Sequence, residues 1–190
     1  MSLPPIILAS SSPRRRELLR KVATEFEVVA SDIPELLHPQ LTATELAKAN
    51  AYRKARHIAG RYPRCLVLGA DTLVYLETQL FGKPGDLAEA RRMLGALQGK
   101  THQVITGVCL IHLQTRRLRI FVDSTSVRFK PLALDAINRY LASIDPLDKA
   151  GAYAIQEGGD ALVAELDGSF SNVGGLPVER LERELAAWAE

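Results

Sequence analysis

The chain has 190 residues, 47% hydrophobic and 24% charged, which is enough for one well-packed domain and too apolar for a disordered segment. Its 24 basic and 22 acidic residues leave a net charge of +2, which excludes a general electrostatic attraction to nucleic acid or to a membrane surface, so that any anion binding must be local. The N-terminus has no signal-peptide pattern, no run of about 18 apolar residues occurs, and Cys65 and Cys109 sit in apolar runs without metal-ligand spacing; these features predict a soluble cytoplasmic protein with both cysteines buried in strands.

From the N-terminus, residues 5–9 (PIILA) predict a short buried strand, 13–23 a helix with Pro13 at its first position, and 26–30 (FEVVA) a second strand. A polar loop with Pro34 and Pro39 leads to a long helix over 44–59 and then to an apolar strand ending at Asp71. This β-α-β-α-β order predicts an α/β sheet covered on both faces. A helix over 86–97 precedes two long β runs joined by QTRR, the pattern of a hairpin. A helix over 132–143, a loop DPLDKAGAY, a strand pair around Ile155 and over 161–166, and a helix from Val178 follow. Val178, Leu181, Leu185 and Trp188 recur at three- and four-residue steps and mark the core face of that last helix. With no internal repeat and no long linker, a single domain over 1–190 is expected.

The stretch after the first strand, SSSPRRR, places Ser10, Ser11 and Ser12 ahead of Pro13 and three arginines, Arg14 to Arg16. Unpaired backbone N–H groups, hydroxyls and guanidinium forks would gather there. The helix dipole adds roughly half a positive charge at the same end, so arginines there destabilise the helix unless an anion answers them. That is an anion cradle; the plainer alternative is an N-cap serine followed by solvated arginines. GALQGKT resembles a phosphate-binding loop but has three residues between its glycines where four are needed, and reads as a helix end and a turn. GADT sets Asp71 after an apolar strand, at the end where α/β sheets bind ligands, and GKPGD sets Lys83 before a turn. The histidines His38, His57, His102 and His112 show no ligand spacing and read as structural.

In order and approximate spacing, LASSSPRRRELL, GADT, GKP, GKTHQVITGV, DPLDKAGAYAIQ and NVGGLP resemble the motifs of the Maf family, the septum-formation-like nucleoside triphosphate pyrophosphatases. The resemblance runs from Leu8 to the region of Leu185. It implies an elongated mixed β-sheet flanked by helices, in two lobes with a central cleft, similar to the fold of inosine-triphosphate pyrophosphatases. It implies hydrolysis of dTTP or UTP, or of modified pyrimidine nucleotides, to the monophosphate and pyrophosphate with a divalent metal cation, Mg²⁺ or Mn²⁺. Carried over by position, the phosphate grip falls on Ser10, Ser12, Arg14 and Arg15, and the catalytic aspartate on Asp71. A second catalytic acid falls on Glu35, which with Asp71 also forms the metal set, and helper lysines fall on Lys54, Lys83 and Lys149. Arg14, Thr72 and Gln156 match the positions that set base preference in the dTTP/UTP group.

The chain departs from the family pattern at several points. Pro34-Glu35 replaces a pair of acids, Ala154 and Glu157 flank Ile155-Gln156 where glycines are usual, and Gly174 replaces an apolar residue. One alternative reading is a sister subgroup acting on 7-methyl-GTP, against which Gln156 and DKAGAY speak. Another is a non-catalytic module that docks nucleic acid or a phosphorylated partner in cell division. The near-neutral charge and the lack of a wider basic stripe speak against that reading. The expected partner is therefore a nucleoside triphosphate substrate, without nucleic acid or membrane, in a monomer or a homodimer.

Overall fold

Alternation of short apolar runs with amphipathic segments produces a mixed sheet with helices on both faces. In the computed structural model, which describes residues 3–189, the elements run β1 (Ile6–Leu8), α1 (Pro13–Leu19), β2 (Glu27–Val28), α2 (Ala43–Ala59), β3 (Leu66–Leu76), β4 (Gln79–Phe81) and α3 (Leu87–Leu97). They continue with β5 (Thr101–His112), β6 (Arg117–Phe129), α4 (Leu134–Ser143), β7 (Val163–Asp167), α5 (Phe170–Val173) and α6 (Val178–Ala189). Three 3-10 turns, at Pro146–Asp148, Ala150–Ala152 and Gly159–Ala161, lie between α4 and β7. The sheet order is β2-β1-β3-β5-β6-β7, with β4 also on β3. β1 lies parallel to β2 and β3, whereas every other pairing is antiparallel. The expected mixed α/β architecture is borne out. Among the described residues no helix is long and apolar enough to cross a membrane.

Strand β3 organises the molecule because successive side chains point to opposite faces. On one face Leu66, Leu68 and Ala70 join a core with α1 and α6, while Val74 and Leu76 join a second core with α3 and α4. Thr72 falls between the two. Its cross-strand partner Thr106 occupies the same divide on β5, between Val108 of the first core and Val104 of the second. On the other face Val67 and Leu73 pack under α2. There the fit is close: a Cβ on Gly69 would strike the Ala51 carbonyl, and one on Gly107 the Ala47 backbone. Ala43, Ala47, Ala51, Ala55 and Ala59, at four-residue steps, present a smooth helix face to this glycine floor.

Several expectations need correction. Asp71 does not end its strand, because β3 continues to Leu76 and Asp71 sits in its middle. The apolar run breaks at Asp71-Thr72, but backbone pairing to β5 does not. The segment around Ile155 is a turn, and β7 pairs with β6. Cys65 is partly exposed just ahead of β3, whereas Cys109 is buried as expected. The first helix stops at Leu19, four residues earlier than Ala23.

Candidate active site

The site opens where β3 changes neighbours. β1 pairs with β3 only through Leu66, Val67 and Leu68, and β4 only through Val74, Tyr75 and Leu76. Between them, among the described residues, that edge of β3 is unpaired from Gly69 to Leu73, so that Asp71 on one face and Thr72 on the other both border the same gap. A cavity of about 340 Å³ fills it. Its walls include Ser10, Ser12, Arg14, Arg15, Glu35, Lys54, Asp71, Thr72, Lys83 and Gln156, which brings together residues from nearly the whole length of the chain.

Asp71 is only 2% exposed. Lys54 Nζ donates to Asp71 Oδ1 at 2.6 Å and to Glu35 Oε1 at 2.8 Å, while Asn50 Nδ2 donates to Asp71 Oδ2 at 3.2 Å. Asn50 and Lys54 are one helical turn apart, and the close seat of α2 on Gly69 and Gly107 carries both to the carboxylate. Burial pushes the Asp71 pKa above the usual carboxylate range; the Lys54 charge opposes this and the Glu35 charge reinforces it. Burial acts in the same direction on the more exposed Glu35, but there the Lys54 hydrogen bond and charge prevail and lower its pKa. The two acids therefore differ in proton affinity.

Ser12 caps α1 and accepts from the Arg15 N–H at 3.4 Å, and the Ser12 N–H donates to Ser10 Oγ at 3.2 Å. The Arg15 guanidinium is tied into the protein. It donates to the Gly175 carbonyl at 2.8 Å, to Thr72 Oγ1 at 3.0 Å and to Ser10 Oγ at 3.4 Å. Desolvation lowers its pKa from the ordinary arginine value, and the Asp71 and Glu35 charges counter that. The excess of charge expected at this helix start is thus answered from within the protein at Arg15. Thr72 continues the network to Thr106 at 3.0 Å, whose hydroxyl donates to the Asn172 carbonyl at 3.1 Å.

Arg14 lines the cavity and donates to the Asp148 carbonyl at 3.3 Å, with Asp148 Oδ1 at 3.6 Å and Glu157 Oε1 at 3.7 Å. Lys149 stands apart from the other site candidates: it is 4% exposed, does not line the cavity, and its ammonium donates to the Asp145 carbonyl at 2.6 Å and to Asp148 Oδ1 at 2.8 Å. Glu157 Oε2 lies 3.4 Å away. Burial raises the Asp148 pKa, but the Lys149 hydrogen bond and the Arg14 charge outweigh it and hold that carboxylate below its ordinary value. Lys83, exposed at the rim after β4, adds its field to Glu35 and Asp148. Gln156 is reached through Ala154, whose N–H and carbonyl both bond the Tyr140 hydroxyl, at 3.0 and 3.1 Å.

Asn50 and Thr106 escaped the sequence reading, and Asp148 and Glu157 entered it only as members of the DKAGAYAIQ stretch and its flank, without a site role. Asn50 had a signal, its four-residue spacing from Lys54. The others depend on contacts between distant segments.

The family model described as Maf-like protein matches residues 5–188. A dTTP/UTP pyrophosphatase of Carboxydothermus hydrogenoformans is 44% identical over 183 residues, covering 96% of this chain and 98% of its own length. A dTTP/UTP pyrophosphatase of Symbiobacterium thermophilum is 46% identical over 175 residues, covering 92% of this chain and 89% of its own. Among solved structures, the Ham1 protein of Staphylococcus aureus aligns with a TM-score of 0.54 at 13% identity, covering 97% of this chain and 99% of its own, a likeness of fold alone. With a family model matched over almost its whole length and two relatives above 40% identity, this chain belongs to the Maf family.

Proposed function

We propose that the protein hydrolyses dTTP and UTP to the monophosphate and pyrophosphate. The observation that carries this reading is Asp71, a buried carboxylate of raised pKa at an open strand edge, in one cavity with Arg14, Arg15, Lys54 and Lys83. The named activity of the two relatives supports it.

A triphosphate carries about four negative charges and needs this density of cations to leave water. Arg14 and Lys83, the cations least engaged with the protein, hold its phosphates, while Arg15 and the Ser10 and Ser12 hydroxyls shape the floor. Asp71 accepts the proton of the water that attacks the α-phosphorus. The bond from that phosphorus to the bridging oxygen breaks, and pyrophosphate leaves. A carboxylate made more basic by burial is suited to that task. At the other end Gln156 meets the base.

The acidic groups fit a divalent cation. Asp71 and Glu35 converge on one ammonium, that of Lys54, as two carboxylates would on a metal. Among the described residues no three acidic, histidine or cysteine groups gather into a full ligand set. Mg²⁺ commonly takes one or two carboxylates and completes its shell with phosphate oxygens and water. When bound, Mg²⁺ or Mn²⁺ supplies positive charge against the leaving pyrophosphate.

The test is a panel of dTTP, UTP, CTP, GTP and 7-methyl-GTP with each metal, scoring pyrophosphate apart from orthophosphate. dTTP and UTP should rank first with pyrophosphate as product. Asp71→Asn should fold and lose roughly 10²–10⁴-fold in kcat, the usual loss for a general base. Release of orthophosphate alone, or near-normal turnover in Asp71→Asn, refutes the reading.

A further inference from the structure

Gly174 follows α5 with φ −68° and ψ −8°, a right-handed helical conformation open to any residue. Its N–H donates to the Phe170 carbonyl at 3.1 Å. Its neighbour Gly175 is different, since φ +104° there requires glycine. The backbone therefore gives no reason for a glycine at 174. Space does: a Cβ on Gly174 would land on Gln156 Nε2, with Leu18 Cδ1 at 3.1 Å and Gln156 Cδ at 3.2 Å.

Gln156 is otherwise loosely held. It is exposed, and among the described residues its amide makes no hydrogen bond to the protein. Its backbone is anchored two residues upstream by Tyr140, and its amide lies against the bare Cα of Gly174, in the space a Cβ there would take. An amide located by shape keeps its carbonyl and both N–H donors for a ligand.

We infer that Gly174 is a positioning residue, a notch that seats the Gln156 amide at the base end of the cavity and so sets which pyrimidine is preferred. This rests on the pyrophosphatase reading above. Uracil and thymine present an N3–H donor flanked by carbonyl acceptors, whereas cytosine presents an acceptor at N3 and a donor at its amino group. A glutamine amide free to turn over serves either pattern. One held in a fitted seat serves one of them better.

The test is Gly174→Ala. Its kcat/KM for dTTP and UTP should fall about 5- to 150-fold, the range for a lost pairing of a buried polar group, with most of the change in KM. CTP should change far less. Because Gly174 acts through Gln156, the double variant Gly174→Ala/Gln156→Ala should be no worse than Gln156→Ala alone, an equality that a general packing defect would not give. Independently of turnover, the Gln156 side-chain amide signal, assigned by its loss in Gln156→Ala, should shift in the NMR spectrum of Gly174→Ala. An unmoved signal, an unchanged ranking or additive losses would overturn the notch. If the wild type releases no pyrophosphate from dTTP or UTP, the function fails while the amide signal still decides the seat. Should Gly174→Ala not fold, Gln156→Asn replaces it: one methylene shorter, its amide falls short of Gly174, and a wild-type ranking in that variant rejects the proposal.

Discussion

Arg14 and Arg15 are neighbours in sequence with unlike tasks. Arg15 donates to three groups of the protein, and its removal leaves the Gly175 carbonyl and the Thr72 hydroxyl without that donor. Arg15→Ala should therefore lose about 1–3 kcal/mol of stability together with activity. Arg14 makes one exposed hydrogen bond, to the Asp148 carbonyl at 3.3 Å, and two long ion pairs at a partly exposed position, together worth about 1 kcal/mol, so Arg14→Ala should unfold near the wild-type temperature and show a raised KM for every nucleotide. Thermal unfolding and steady-state kinetics on the two variants check this; an Arg15→Ala protein as stable as wild type would show that its bonds are incidental. The crowding of serines and arginines was legible in the sequence because that mixture is unusual at a helix start. The division of labour was not, because it is set by Gly175, Thr72, Asp148 and Glu157, all far along the chain.

At the scale of elements, the hydrogen bonds from Asn50 and Lys54 to Asp71 depend on how closely α2 lies on β3 and β5. Gly107→Ala would drive a methyl into the Ala47 backbone, which no rotamer change relieves. It should destabilise by about 1–3 kcal/mol and lower kcat as well, because Asn50 and Lys54 ride on the displaced helix. Gly95→Ala is the contrast. Gly95 is an exposed residue inside α3 where an added methyl would meet nothing within 4 Å, so the change should stabilise by about 0.5–1 kcal/mol. Chemical denaturation of both variants checks the pair, and a stable Gly107→Ala protein would show that the helix seat is soft. The four-step alanines of α2 are visible in the sequence, but only the glycine floor, assembled from two strands, shows what they serve. Likewise Asp71 was singled out in the sequence while its strand was cut short, since an aspartate and a threonine interrupt the apolar pattern and leave no mark of the backbone ladder beneath them.

For the whole molecule, stability should fall in mild acid through His102. This ring is 1% exposed and stacks edge-on with Phe129 and Tyr153, and burial lowers its pKa to about 4 from the ordinary 6.5. Above pH 6.5 both folded and unfolded chains hold it neutral and its contribution is complete. As pH falls from 6.5 towards 4 the unfolded chain takes up the proton and the folded chain does not, so stability is lost, on the order of 3 kcal/mol over the full window. Urea midpoints at pH 7.5 and 5 should separate more for wild type than for His102→Gln; equal separations would clear His102 of the effect. The sequence made this histidine structural, correctly, but only the burial shows that it titrates out of range. The mixed sheet and the order of its elements were legible from alternation and periodicity; the gap in the β3 edge was not, because it arises from the shortness of β1 and β4. That gap also decides how the molecule admits its ligand. β3, β5 and β6 run for 11, 12 and 13 residues beneath both cores, a span of about 40 Å at the longest, and a hinge between the lobes would have to break their shared ladders together. The molecule is a beam with a slot in its side rather than a jaw. The shared ladders tie its two ends together, whereas Arg14, Asp148 and Glu157 beside the slot are joined by side-chain ion pairs, which can exchange without any strand having to bend.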